Sequence, residues 1–246
     1  MDFGVFNLLQ HRDRSKSPHE IIAEALEHTQ LAEELGFSRV WFAEHHFSNR
    51  YGILPDPFSY LSYLAAKTSR IKLGAAVMVV PLHHPMRIVE NAAFVDILSN
   101  GRFQLGLGSG YRPYEFEGLG IDFDSRRERQ AEAVDLILQG FHEKRVNSNG
   151  KYFQFKMDEG YEIFPQPIQQ PHPPFYMGAG TPDSIRLAAQ KGFGLMQGSL
   201  PSVEKLSENI EFYKKHMKDA PAPLNQNPCF GQFDCVRMVY VAPTDA

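Results

Sequence analysis

The chain has 246 residues, enough for one large single core, and its 43% hydrophobic and 22% charged content is that of an ordinary globular protein. A formal net charge of -4 gives no electrostatic reason to expect nucleic acid or an anionic membrane as a partner. No apolar run approaches the ~20 residues of a membrane span, and no basic-then-apolar signal pattern opens the chain. The two cysteines, Cys229 and Cys235, fit neither a disulfide framework nor a zinc motif, so the default expectation is a metal-free protein of a reducing cytoplasm.

Short apolar runs alternate with helical patterns from the first residue, the signature of β–α units on a parallel sheet. Phe3–Leu8 reads as the first strand. Ser17 as cap, Pro18 at the first helical position and Glu20 three residues after the cap open a helix that Gly36 ends. Arg39–Ala43 is the second strand, and Asp56-Pro57 opens a helix through Lys67. Ile71–Val80 holds the third strand, Pro85–Leu98 a helix, and Phe103–Leu107 the fourth strand. Ser125 and Glu128 form a second capping box, opening a helix to about Lys144.

The rhythm then breaks at about 150–174. Tyr152–Phe155 and Tyr161–Phe164 read as a small hairpin, and Pro165–Pro174 is too rich in proline for a central strand. Phe175–Met177 resumes as the fifth strand, followed by a helix over Pro182–Gln190, a strand over Gly194–Gln197, a helix over Val203–Lys218 and a strand over Phe233–Val241. The expected architecture is α/β, one domain over 1–246 on the TIM (β/α)8-barrel plan, with seven core strands and without the last strand and helix. A closed barrel takes eight strands, so the chain is expected to be a fragment unless another segment or chain fills the gap, a seven-stranded design with a plugged gap being the alternative. An open doubly wound sheet is the alternative, although no GxGxxG follows the first strand.

Active sites of such barrels lie at the C-terminal ends of the strands. Glu44-His45-His46-Phe47 follows the second strand, His83-His84 the third, Gly106-Leu107-Gly108-Ser109-Gly110 the fourth, and Gly178-Ala179-Gly180-Thr181-Pro182 the fifth. In the last of these, glycines permit close backbone approach, Thr181 caps a helix and its first amides suit a phosphate; a plain β-to-α turn explains the same residues, and Asp183 would repel an anion unless it points away. Glu44, His45 and His46 are open to reading as metal ligands, general bases or packed residues. Neighbours on a strand face opposite ways, so if the strand persists His45 and His46 cannot both face the lumen, and HExxH or Cys/His metal spacings are absent. His83-His84 reads as structural, with His84 a helix cap before Pro85.

Taken together, Glu44-His45-His46-Phe47, Val79-Val80-Pro81, His84-Pro85 with Glu90, Ser99-Asn100-Gly101-Arg102-Phe103, Phe164-Pro165-Gln166-Pro167 and Gly178-Ala179-Gly180-Thr181 resemble the motifs of the bacterial luciferase-like monooxygenases, in order and over essentially the whole chain. The resemblance implies a barrel that binds reduced FMN, or in some branches F420, and uses dioxygen to oxidise an aldehyde or similar small organic substrate. His45 matches the family's catalytic acid/base, a role suited to an imidazole near neutral pH. Ala75, Ala76 and Val77 match the segment that packs on the flavin ring, often with a cis peptide. Gly108 and Ser109 belong to the turn after the fourth strand, and Gly178, Gly180, Thr181 and Ser184 match positions that hold the flavin phosphate.

Two departures stand out. Ser109 replaces a phosphate-binding arginine, leaving amides, hydroxyls and Arg112 for that task, and Gly180 stands where the luciferases have an acidic residue, so light emission is not implied. No second flavin or nicotinamide site is visible, so a separate flavin reductase is the expected supplier of reduced FMN. A dimer is expected through the helices at Asp56–Lys67 or Pro85–Leu98, where Ala65, Ala66, Ala92 and Ala93 permit close packing. The rival readings are an F420-dependent dehydrogenase, a flavin-binding protein without turnover, and a metal hydrolase.

Overall fold

The computed structural model describes residues 2–48, 51–242 and 244; the terminal Asp245 and Ala246 lie outside the described residues. The chain divides into two compact units, Met1–Phe175 and Tyr176–Ala246. Among the described residues no helix is long and apolar enough to cross a membrane.

The first unit carries parallel strands β1 (Gly4–Asn7), β2 (Arg39–Phe42), β3 (Lys72–Val79) and β4 (Phe103–Gly108), paired in chain order. Every residue of β2 and β4 is buried, as expected of strands covered on both faces. The crossovers are α1 (Pro18–Glu34), α2 (Pro57–Ala65) and α3 (Pro85–Leu98). Local chemistry sets their ends. Ser17 and Glu20 close the expected capping box on α1. At its other end Gly36 takes φ 84° and donates to Glu33, while the Phe37 amide reaches back 2.9 Å to the Ala32 carbonyl, a closure that only a left-handed residue allows. Asp56 caps α2 and the His84 ring caps α3 by accepting from the Met86 amide at 3.3 Å.

A helix α4 (Pro113–Gly118) occupies a stretch to which the sequence pattern assigns no element, and three expectations fail in this unit. The helix α5 (Arg126–His142) starts where expected but without its capping box: Ser125 has helical backbone angles, its hydroxyl donates to the Asp122 carbonyl, and Glu128 is drawn to Lys151 and the Tyr152 hydroxyl, 2.7 and 2.8 Å away. The hairpin pairs β5 (Ser148–Asn149) with β6 (Gln154–Phe155), not with Tyr161–Phe164. There the chain runs along the end of α5, with the Ile163 amide bonded to the Lys144 carbonyl at 2.7 Å and Tyr161 and Phe164 exposed. The proline-rich stretch is loop, as read, and is pinned by Gln169, whose amides donate to the buried Asp96 carboxylate and the Phe103 carbonyl. The alanines assigned to an assembly face also differ: Ala65, Ala92 and Ala93 are buried in this unit's own core and only Ala66 is exposed, while the exposed large apolar side chains of α2 and α3 are Tyr63, Phe94, Ile97 and Leu98.

The second unit holds β7 (Phe175–Gly178, from Tyr176 onward), β8 (Gly194–Gln197) and β9 (Phe233–Cys235), again parallel and in order, with α6 (Pro182–Gln190) and α7 (Val203–Met217) between them. The last strand is shorter than expected. Val236 adds one bond to Gln197, after which Met238–Val241 are more than 80% exposed and pair with no strand. Among the described residues, seven parallel strands in β–α alternation follow the TIM-barrel plan, as read, short of the eight that a closed barrel takes.

Candidate active site

His45 leaves the end of β2 with its ring inward and only 5% exposed. Its Nδ1 meets Glu115 Oε1 at 2.9 Å, and the same oxygen accepts the His46 amide at 3.1 Å. Glu115 rises from the first turn of α4 and is itself buried. An ionised carboxylate can only accept, so this contact places the imidazole proton on Nδ1 and leaves Nε2 as the basic nitrogen. Tyr51 and Tyr111 close over the ring edge-on, with centroids at 4.7 and 6.2 Å. Gly52 packs directly on it: a Cβ there would stand 2.8 Å from His45 Cδ2. The sequence reading missed Glu115, whose only signal was an acidic residue three positions after Arg112, just past the β4 glycines.

β2 ends at Phe42, and past it Glu44 and His46 engage each other and not the Glu115 carboxylate that His45 Nδ1 meets. Glu44 is fully buried, yet both its oxygens are satisfied: Oε1 accepts from His46 Nε2 and His83 Nε2, each at 2.7 Å, and Oε2 from the Val79 amide at 2.7 Å. Burial pushes the carboxyl pKa up, but the two imidazoles and the amide outweigh it and hold Glu44 below the ordinary range. Burial likewise pulls His83 down, and its bond to Glu44 raises it above 6.5 on balance. His83 is therefore the partner of Glu44 and not merely a structural residue beside the His84 cap. Three atoms of metal-ligating type lie within 4.8 Å of one another in this cluster.

On β3, Ala75 is buried and Ala76 and Val77 are half-buried; the Ala76–Val77 peptide is cis, and the register to β4 shifts between Ala75 and Met78. Gly108 faces this segment, and a Cβ on it would stand 2.4 Å from Val77 Cγ2. Gly110 takes φ 74° against Phe116 and Val79, and Ser109 between them is half-buried. Arg112 follows, its guanidinium 4.0 Å from the Tyr51 ring centroid.

In the second unit, the turn from β7 into α6 exposes Gly180 and Thr181, with Gly178 and Ser184 half-buried. Thr181 and Ser184 form a reciprocal capping box, and no atom lies within 4 Å of where a Gly180 Cβ would stand. Asp183 is engaged by Arg186 at 3.0 Å. Each unit carries residues that fit part of a flavin mononucleotide: in the first, small side chains and bare glycines on β3 and β4 leave backbone for a flat ring and Arg112 Nε is buried without a partner; in the second, the open first turn of α6 offers amides to an anion.

Parallel β–α units with a histidine–carboxylate pair past the second strand place the chain among proteins on the β–α barrel plan. Residues 1–245 match the model of the luciferase-like monooxygenases, and the chain belongs to that family. It is 31% identical over 229 residues to the oxygenase component of the flavin-dependent trigonelline monooxygenase of Acinetobacter baylyi, covering 91% of this chain and 62% of that protein. A monooxygenase from Streptomyces bottropensis superposes with a TM-score of 0.82 at 30% identity, over 89% of this chain and 67% of that one. The oxygenating constituent of 3,6-diketocamphane monooxygenase from Pseudomonas putida, in complex with FMN, shares the fold with a TM-score of 0.79 at 18% identity, over 89% and 63% of the two chains. The chain thus spans less than two thirds of the length of the curated relatives it matches.

Proposed function

We propose that the protein is a monooxygenase that takes reduced FMN from a separate reductase and uses dioxygen to oxidise a small organic substrate, aldehydes being the first class to test. The observation that carries this reading is the buried His45–Glu115 pair at the C-terminal end of β2. Reduced FMN, when bound, supplies the two electrons for oxygen activation. The chain's own residues do the rest. Glu115 orients the imidazole and holds its Nδ1 proton, which leaves His45 Nε2 to take up or deliver a proton at the reacting centre. Ala75, Ala76 and Val77, with Gly108 and Ser109, would hold the flavin ring, and Gly178, Gly180, Thr181 and Ser184 its phosphate. Tyr51, Tyr111 and Gly52 keep bulk water from the imidazole. A dimer through the exposed Phe94, Ile97 and Leu98 of α3, and a cytoplasmic location, belong to the same proposal.

Anaerobic titration with reduced FMN and with reduced F420, followed by oxygen-uptake assays over an aldehyde panel, tests it. FMN binding with substrate-dependent oxygen uptake is expected. Preferential F420 binding without oxygen uptake would assign a dehydrogenase, and FMN binding without turnover a flavin carrier; either overturns the proposal.

A further inference from the structure

We propose that Arg112 is the binding group for an oxyanion, a carboxylate or phosphate, presented beside His45; this deepens the monooxygenase reading and rests on it. Arg112 sits at the start of α4, three residues before Glu115. Its guanidinium lies 4.0 Å from the ring centroid of Tyr51 and 5.0 Å from that of Tyr111, with Tyr114 at 6.0 Å. The neighbouring phenols of Tyr111 and Tyr51 favour its charged form. Among the described residues it joins no ion pair, and its Nε is buried with no hydrogen-bond partner.

A half-buried cation held on aromatic faces but facing no carboxylate is costly for the free protein, because a donor has left water without gaining an acceptor. Aromatic stacking fixes the plane of a guanidinium and leaves its N–H edge free for the bidentate geometry that a carboxylate or phosphate accepts. The rings that hold Arg112 also cover His45: Tyr51 contacts both the guanidinium and the imidazole, and so does Tyr111. An anion bound at Arg112 therefore lies in the chamber of the acid/base residue. That position, under the same rings that cover the acid/base imidazole, favours the organic substrate as its source. The substrate class inferred is a small organic anion, anchored at its charged end while another carbon is oxidised.

The test compares charged and neutral members of two probe pairs on wild type, Arg112→Gln and Arg112→Lys. The pairs are benzoate against benzamide by calorimetry, and reduced FMN against reduced riboflavin by anaerobic titration. Wild type should prefer benzoate at least roughly tenfold, the gain of one charge-assisted contact. Arg112→Gln should abolish that preference, Arg112→Lys keep part of it, and benzamide should bind all three alike, which a merely structural role would not produce. Loss of the FMN-over-riboflavin preference instead would assign the same group to the cofactor phosphate. Preferences that survive Arg112→Gln in both pairs overturn the proposal. Failure of wild type to bind any flavin would strike the monooxygenase reading alone and leave the benzoate pair to judge Arg112.

Discussion

His45 Nδ1 and Glu115 Oε1 lie 2.9 Å apart although 70 residues of chain separate them. Both are buried, so the carboxylate has one main task, to set the orientation and tautomer of the imidazole. His45→Ala is expected to lower turnover roughly 10²- to 10⁴-fold while flavin binding persists. Glu115→Ala removes a hydrogen bond to a charged partner, about 1.5–3 kcal/mol, and should lower turnover about 10- to 100-fold. Because Glu115 acts through His45, the double variant should be no slower than His45→Ala in oxygen-uptake assays. A further loss in the double variant would give Glu115 a role of its own.

The pH dependence of stability follows from His172. Its ring is buried, stacked on Phe175 with centroids 4.1 Å apart, and its Nδ1 donates to the Pro173 carbonyl at 2.7 Å. Burial pushes its pKa down from 6.5 to about 4, the nearby His142 adding in the same sense. The unfolded chain binds this proton near 6.5 and the folded one only near 4, so stability is lost as pH falls through that window, by roughly 3 kcal/mol at its acid end. Above pH 6.5 the group contributes no pH dependence. His172→Phe should lose less melting temperature than wild type between pH 6.5 and 4.5, and equal losses would refute this origin.

Ser17 and Ser125 look alike in sequence and act differently in the fold. Ser17→Ala removes a working cap and should cost about 1 kcal/mol in denaturant unfolding. Ser125→Ala touches a hydroxyl bonded to the Asp122 carbonyl and should stay within about 0.5 kcal/mol.

Gly108→Ala drives a methyl onto Val77 and should destabilise the protein by about 1–3 kcal/mol through overpacking. Val77→Ala in the same chain makes room and should restore most of that loss, which thermal unfolding of the two variants would measure. If the segment holds the flavin as proposed, flavin affinity should fall and recover in parallel.

Helix ends were legible before the fold was known, because a cap is a contact between neighbours along the chain. Ser17-Pro18 with Glu20, Gly36, Asp56-Pro57, His84-Pro85 and Thr181-Pro182 all act where the residue pattern placed them. The seven parallel strands were legible too, since each is a short apolar run between such helices. His45 could be picked out as a residue at a strand end.

What His45 meets could not be read along the chain. Glu115, Tyr51 and Arg112 reach the site only after parallel strands bring the ends of β2 and β4 to the same side of the sheet, and His83 reaches Glu44 by the same route from β3. Tertiary contacts also overrode local signals. Lys151 and Tyr152 drew Glu128 away from Ser125, and the core took Ala65, Ala92 and Ala93 that the pattern had offered to a partner. Nearest-neighbour chemistry decides where an element starts and stops. Which side chain neutralises, covers or orients another across 39 or 70 residues depends on register and burial, and those exist only once the chain has packed.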